Sequence, residues 1–231
     1  MIAAGIITSP RPDNVNYITS MLRSFLTEWD IVPFVFAEPQ TPPFLYKDRV
    51  LYYESPNQLG IVHNWLYAAK RILEVNASPW IMMCEDDIEF MQGCSRETRK
   101  LILDLEDDLP GFISPYCSKH NSAMFEKGNW HKPQMPGDMS WCGACCLLFP
   151  REHLNLIVNV HEANFKLAAQ GPHSSAVHLD CAIGHVLTFC GKKLLTHSPT
   201  LVDHKGEIST TEVNNQEGQI LGDARTPEFF Q

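Results

Sequence analysis

The chain has 231 residues, 44% of them apolar and 19% charged, and a formal net charge of −9 at pH 7. That suffices for one domain with a substantial core, and no internal repeat, low-complexity tract or Gly/Ser linker divides it. The acidic balance argues against a protein that grips nucleic acid over its whole surface, while leaving room for a local basic groove around Lys119, His120, Lys127, His131 and Lys132.

The opening "MIAAGIITSPRP" lacks the basic start and long apolar stretch of a signal peptide. It reads as a short buried strand, Ile2 to Thr8, followed by a Pro-rich turn in which Asp13 or Asn14 is available as a helix cap. Ile18, Met21, Leu22, Phe25 and Leu26 recur at helical spacing and predict an amphipathic helix. "IVPFVFAEP" and "RVLYYES" are runs of strand length. After "PNQLG", Ile61, Val62, Trp65, Leu66, Ala69, Ile72 and Leu73 mark a second helix, and "PWIMMC" is the next buried run. Strand, helix, strand, strand, helix, strand predicts an α/β layer with mostly parallel strands, apolar throughout because helices cover both faces. No apolar run approaches the roughly 20 residues that span a bilayer, so a soluble cytoplasmic protein is expected.

Two Glu-Asp-Asp tripeptides stand out. Glu85-Asp86-Asp87 ends the "PWIMMC" run directly, and in open α/β sheets ligands bind beyond the carboxyl ends of the strands. Glu106-Asp107-Asp108 follows "SRETRKLILDL", a predicted helix, where carboxylates oppose the helix dipole and a solvated turn is expected. Carboxylates with open positions around them suit Mg²⁺ or Mn²⁺ bound to a diphosphate. The chain has no G-x-x-x-x-G-K-[ST] loop and no Gly-rich turn after its first strand, which sets aside P-loop and nucleotidyl-transfer sites.

Of the eight cysteines, Cys84, Cys142, Cys145, Cys146, Cys181 and Cys190 sit beside apolar residues and read as buried, reduced thiols. Cys142 and Cys145 form a C-x-x-C with no second pair to complete a zinc set. His63, His153, His185 and His197 read as helix-face or core residues, and Trp65 and Trp80 as core. Trp130 lies in the loop-like "KGNWHKPQMPGDMS", a candidate acceptor-binding lid. Asn76-Ala77-Ser78 is a formal glycosylation sequon, expected to be idle.

A first strand ending in Thr-x-Pro-Arg, the helix opening "NQLGIVHNW", the acidic triplet, "WCGACCLLFPREHL", "HLDCAIGHVL" and "LLTHSPTLVDHKGEISTT" together resemble GT-A fold glycosyltransferases. The triplet stands for that fold's D-x-D motif, and the order of segments is similar to that of EDD-type N-acetylglucosaminyltransferases and small bacterial and phage transferases. The resemblance implies a single GT-A domain over 1–231: a nucleotide-sugar half (1–110), an acceptor and catalytic half (111–212) and a flexible tail (213–231). It implies a metal-dependent, inverting transfer from a nucleotide sugar, a UDP-hexose or UDP-HexNAc, with Mn²⁺ or Mg²⁺ held by Asp87 and His204. Thr8, Pro10 and Arg11 would line the nucleotide pocket, and Glu54, Asn57, Gly60 and Asn64 its uridine side, Gly60 by permitting close approach. Glu85 would orient its neighbours, Asp86 would meet the ribose or a metal-bound water, and Trp141 and Gly143 would floor the sugar pocket. Asp180, opening "CAIGHVLTFC", would be the catalytic base, although an Asp there is also an ordinary helix cap. A glycan, a protein or modified DNA could be the acceptor, and a non-catalytic nucleotide- or sugar-binding module is the alternative.

Overall fold

The computed structural model describes residues 1–11, 13–105, 108–117, 125–132, 145–168 and 179–205; for 161–168, 180–182 and 185 it describes the backbone alone. Trp141, Gly143, Cys142, Lys119, His120, the tail 213–231 and the Glu106 and Asp107 of the second triplet lie outside the described residues.

Ten strands and five α-helices alternate along the described chain: β1 (Ile2–Thr8), α1 (Asn14–Glu28), β2 (Phe34–Ala37), β3 (Leu51–Glu54), α2 (Gly60–Val75), β4 (Trp80–Glu85), β5 (Ile88–Phe90), α3 (Cys94–Asp104), β6 (Phe112–Ser114), β7 (Asn129–His131), β8 (Cys146–Pro150), α4 (Arg151–Ala168), α5 (Leu179–Phe189), β9 (Leu194–Ser198) and β10 (Val202–His204). Eight strands form one sheet in the order β3-β2-β1-β4-β8-β6-β9-β7. The first four are parallel to one another, and β6 is parallel to β9. β8 runs antiparallel between β4 and β6, and β7 antiparallel beside β9. β5 and β10 pair antiparallel as a separate ribbon.

The continuous apolar runs of β1 and β4 follow from burial on both faces. Along β4, Trp80, Met82 and Cys84 pack with Ile18, Met21, Leu22 and Phe25 of α1, while Ile81 and Met83 pack with Trp65, Ala69 and Ile72 of α2 and Ile157 of α4. Burial of each large aliphatic or Phe side chain is worth about 1.5–3 kcal/mol, and this packing holds the helices on each face. Gly5 lets α2 lie close on β1, since a Cβ there would come within 2.4 Å of Ile72 Cδ1.

Several expectations change. Asp13 precedes α1 with φ 59° and makes no side-chain cap, and the Asn14 amide is drawn inward. β3 is the sheet edge and is not fully buried; Leu51 is 46% exposed. Trp130 belongs to β7, paired with β9, and its ring meets His197 edge-on at 5.0 Å, so this part of the expected loop is strand. Cys190 is exposed, whereas Cys84, Cys94, Cys117, Cys145 and Cys146 are buried free thiols. Trp65, Trp80, His153 and His197 are buried, as expected. Among the described residues, no helix is long and apolar enough to cross a membrane.

Candidate metal and phosphate site

β1 and β4 run side by side and parallel with Ile7 opposite Glu85, so Thr8, the last residue of β1, and Asp86, just beyond β4, meet at the carboxyl edge of the sheet. Thr8 Oγ1 donates to Asp86 Oδ2 at 2.5 Å, and Asn14 Nδ2 reaches the same oxygen at 2.8 Å, Thr8 Oγ1 at 2.9 Å and the Ser9 carbonyl at 2.8 Å. The other oxygen of Asp86 accepts from Arg11 Nη2. Arg11 Nη1 lies 3.2 Å from Asp87 Oδ2, and its guanidinium lies over the Tyr17 ring at 5.0 Å. Both oxygens of Asp86 therefore face inward, into a buried polar network.

Asp87 is arranged differently. Its Oδ2 faces Arg11, but Oδ1 is buried without a hydrogen-bond partner. His204 Nε2 stands 3.4 Å from that oxygen, and 4.0 Å from Glu85 Oε2. The ribbon makes this meeting possible. His204 pairs with Ile88 across it, and the Lys205 amide donates to the Asp87 carbonyl at 2.7 Å, tying the two chain segments together beside the carboxylate. One ligand atom each from Glu85, Asp87 and His204 lie within 4.8 Å of one another. Two carboxylates and an imidazole, one carboxylate oxygen being buried and unsatisfied, fit a divalent ion such as Mn²⁺.

The electrostatics follow from this packing. Burial, with Asp87 beside it, pushes the Glu85 carboxyl up to about 7, against the pull of His204. Burial also raises Asp86, to about 6, with Arg11 and Thr8 acting in the opposite direction. For Asp87 burial is outweighed by His204 and Arg11, which hold its carboxyl below the ordinary value. Asp87 in turn raises the His204 imidazole, despite the burial that opposes its charge. The carboxylates thus face the Arg11 guanidinium and the His204 imidazole, which in its neutral form is a metal ligand.

The remaining expected residues are spread more widely. Pro10 lies partly buried in the turn before Arg11. Asn64 is buried, its amide donating to the carbonyls of Thr8 at 3.3 Å and Phe36 at 3.4 Å, so it ties α2 to the ends of β1 and β2. Glu54 is exposed at the end of the edge strand and accepts from Tyr52 Oη at 3.2 Å. Asn57 is exposed in the turn that follows. Gly60 begins α2 with φ 72°, yet a Cβ there would meet nothing within 4 Å. The left-handed conformation gives Gly60 a backbone reason of its own. Asp180 is the second residue of α5; its side chain lies outside the described residues.

Two residues were not legible as part of the site. Asn14 read only as a cap. Glu38 is 2% exposed just beyond β2, and its Oε1 accepts from the Leu59 amide at 3.0 Å, steadying the entry to α2. A signal for Glu38 existed, since it ends an apolar run next to β1 just as Glu85 ends β4.

A groove of about 690 Å³ lies elsewhere, at the opposite edge of the sheet between the end of α2 and the start of α4, where Pro79, Pro150 and Arg151 line it. Arg151 is already used there, donating to the carbonyls of Asn76 at 2.5 Å and Leu73. A smaller cleft of about 250 Å³ adjoins Asp87, lined by Asn16, Tyr17, Ser20, Glu89 and Lys205. The unsatisfied Asp87 oxygen makes this carboxylate end the candidate site.

No protein family and no curated protein matches the sequence. Among solved structures, the chain is similar to the mannosyltransferase PcManGT from Pyrobaculum calidifontis in complex with GDP-Man and Mn²⁺, with a TM-score of 0.55 and 11% identity over 93% of this chain. The alignment spans 60% of that protein. At this identity the likeness shows the fold, a GT-A-like α/β arrangement with a mostly parallel sheet, as expected from the sequence.

Proposed function

We propose that the chain is a divalent-metal-dependent glycosyltransferase that moves a sugar from a nucleotide sugar, a UDP-hexose or UDP-HexNAc, to an acceptor hydroxyl with inversion. The convergence of Glu85, Asp87 and His204 at the carboxyl edge of a GT-A-like sheet carries this reading. Asp87 through Oδ1, His204 through Nε2 and Glu85 through a carboxylate oxygen would hold Mn²⁺ or Mg²⁺. Bound there, the ion would neutralise charge developing on the departing nucleoside diphosphate. Asp86 keeps Arg11 and Thr8 in place, and Arg11 adds a fixed positive charge beside the diphosphate. Nucleotide sugar would occupy the half spanning 1–110, with Pro10 lining the nucleotide pocket, Glu54, Asn57, Gly60 and Asn64 bounding its base side, and Trp141 and Gly143 the sugar. Acceptor would approach from the half spanning 111–212.

Asp180, near the start of α5, is assigned as general base. It would take the proton of the acceptor hydroxyl as that oxygen bonds to the anomeric carbon and the diphosphate leaves. General-base help contributes roughly 10²- to 10⁴-fold, so Asp180→Asn should lower turnover by at least about a hundredfold while leaving donor affinity intact.

The test is acceptor-dependent nucleotide release with Mn²⁺, across UDP- and GDP-sugars and with glycans, proteins and hydroxymethylated DNA as acceptors. NMR of the product's anomeric proton reads the stereochemistry. Donor binding without turnover on any acceptor would favour the non-catalytic module. Failure of every nucleotide sugar to bind would overturn the proposal.

A further inference from the structure

The geometry points to Arg11 as the residue that selects the metal, by denying Asp87 a two-oxygen grip on it; this rests on the metal reading proposed above. The two oxygens of Asp87 are unequal. Oδ2 lies 3.2 Å from Arg11 Nη1, while Oδ1 is buried with no hydrogen-bond partner and faces His204 at 3.4 Å. The fork is fixed from behind, since its other nitrogen is held by Asp86, which Thr8 and Asn14 hold in turn. Arg11 is itself 13% exposed and lies over Tyr17, so the guanidinium has little freedom to swing away.

A carboxylate pinned in this way offers an ion one oxygen. Mg²⁺ requires near-octahedral ligation at about 2.0–2.1 Å and is usually bound through one or two carboxylates. Ca²⁺ takes 6–8 oxygens at about 2.3–2.6 Å and draws on two-oxygen carboxylate ligation to reach that number. Mn²⁺ is compatible with the mixed carboxylate and imidazole set. The fork therefore disfavours Ca²⁺ without weakening Mn²⁺ to the same degree, and the preference belongs to a side chain that touches no metal.

The experiment measures Mn²⁺ uptake by the full chain from the EPR signal of the free ion, with Ca²⁺ as competitor and no nucleotide present. Arg11→Met removes charge and fork; Arg11→Lys keeps the charge without the fork. Loss of positive charge strengthens every divalent ion, so the ratio of Ca²⁺ to Mn²⁺ dissociation constants is the readout. That ratio should fall about tenfold in both variants, the lower end of what partners of metal ligands contribute. An unchanged ratio in both would overturn the role of Arg11 and leave the metal site standing. A fall in Arg11→Met alone would show that any cation against Oδ2 suffices, and would overturn the need for the fork. No Mn²⁺ uptake by the unsubstituted chain would remove the metal reading and this inference with it. Circular dichroism identifies a variant that has not folded, in which case the other one decides.

Discussion

Asp87 and Asp108 each close a Glu-Asp-Asp tripeptide. Asp87 is 5% exposed, flanked by Arg11 and His204, and keeps one oxygen without a hydrogen bond. Asp108 is exposed and meets Lys193 Nζ at 2.5 Å, an ion pair in water. The difference comes from what precedes each. A strand buried between two layers of helices delivers its terminal carboxylates into a fixed polar frame, whereas Asp108, beyond α3, meets only an exposed surface lysine. Local composition therefore says little about metal chemistry; the sheet position of the preceding strand says much.

Removing Asp87 tests this contrast most severely. Asp87→Ala deletes the buried unsatisfied oxygen and should weaken Mn²⁺ by more than the roughly 10- to 100-fold lost when a partner of a metal ligand is removed. EPR or calorimetry reads the loss directly. Retention of Mn²⁺ affinity within about threefold of the unsubstituted chain would place the ion elsewhere.

A smaller effect is expected at Asn14. Its amide meets Asp86, Thr8 and the Ser9 carbonyl inside the protein, so Asn14→Ala leaves a buried carboxylate short of a donor. Hydrogen bonds to buried charged groups are worth about 1.5–3 kcal/mol, reduced here because Asn14 Oδ1 is itself unsatisfied, so a loss of about 1–2 kcal/mol is expected in urea denaturation. A loss well below that range would mean that the frame around Asp86 is less tightly built than its distances indicate.

How much of this was legible depends on the residue. The runs "IAAGIIT" and "PWIMMC" were read as buried strands because burial on both faces removes polar alternation, and their pairing then put the first triplet at the ligand edge. Asp87 and His204 came from the resemblance, and the β5–β10 ribbon explains how segments so far apart meet. The division of labour within the triplet was harder to read. Period-two alternation ends where β4 ends, and the turn decides that Asp86 faces inward while Glu85, expected to orient its neighbours, shares the open cluster with His204. Asn14 was hidden for a related reason: an Asn between a strand and a helix reads as a cap until the strand beside it supplies a buried carboxylate.

The smallest effect is the one that isolates position from composition. Asp108→Ala removes a carboxylate from the same tripeptide, at a site where both partners are largely in water: the side chains of Lys193 and Asp108 are 68% and 73% exposed. Lys193 holds the Asp108 carboxyl below its ordinary value through a close hydrogen bond, but an exposed pair of this kind is screened by salt and pays side-chain entropy to form. The variant should bind Mn²⁺ as the unsubstituted chain does and melt at the same temperature within error, at low and high salt alike. Loss of Mn²⁺ affinity in Asp108→Ala would break the comparison at its root, because an exposed surface carboxylate would then be shaping a site assigned to the carboxyl edge of the sheet.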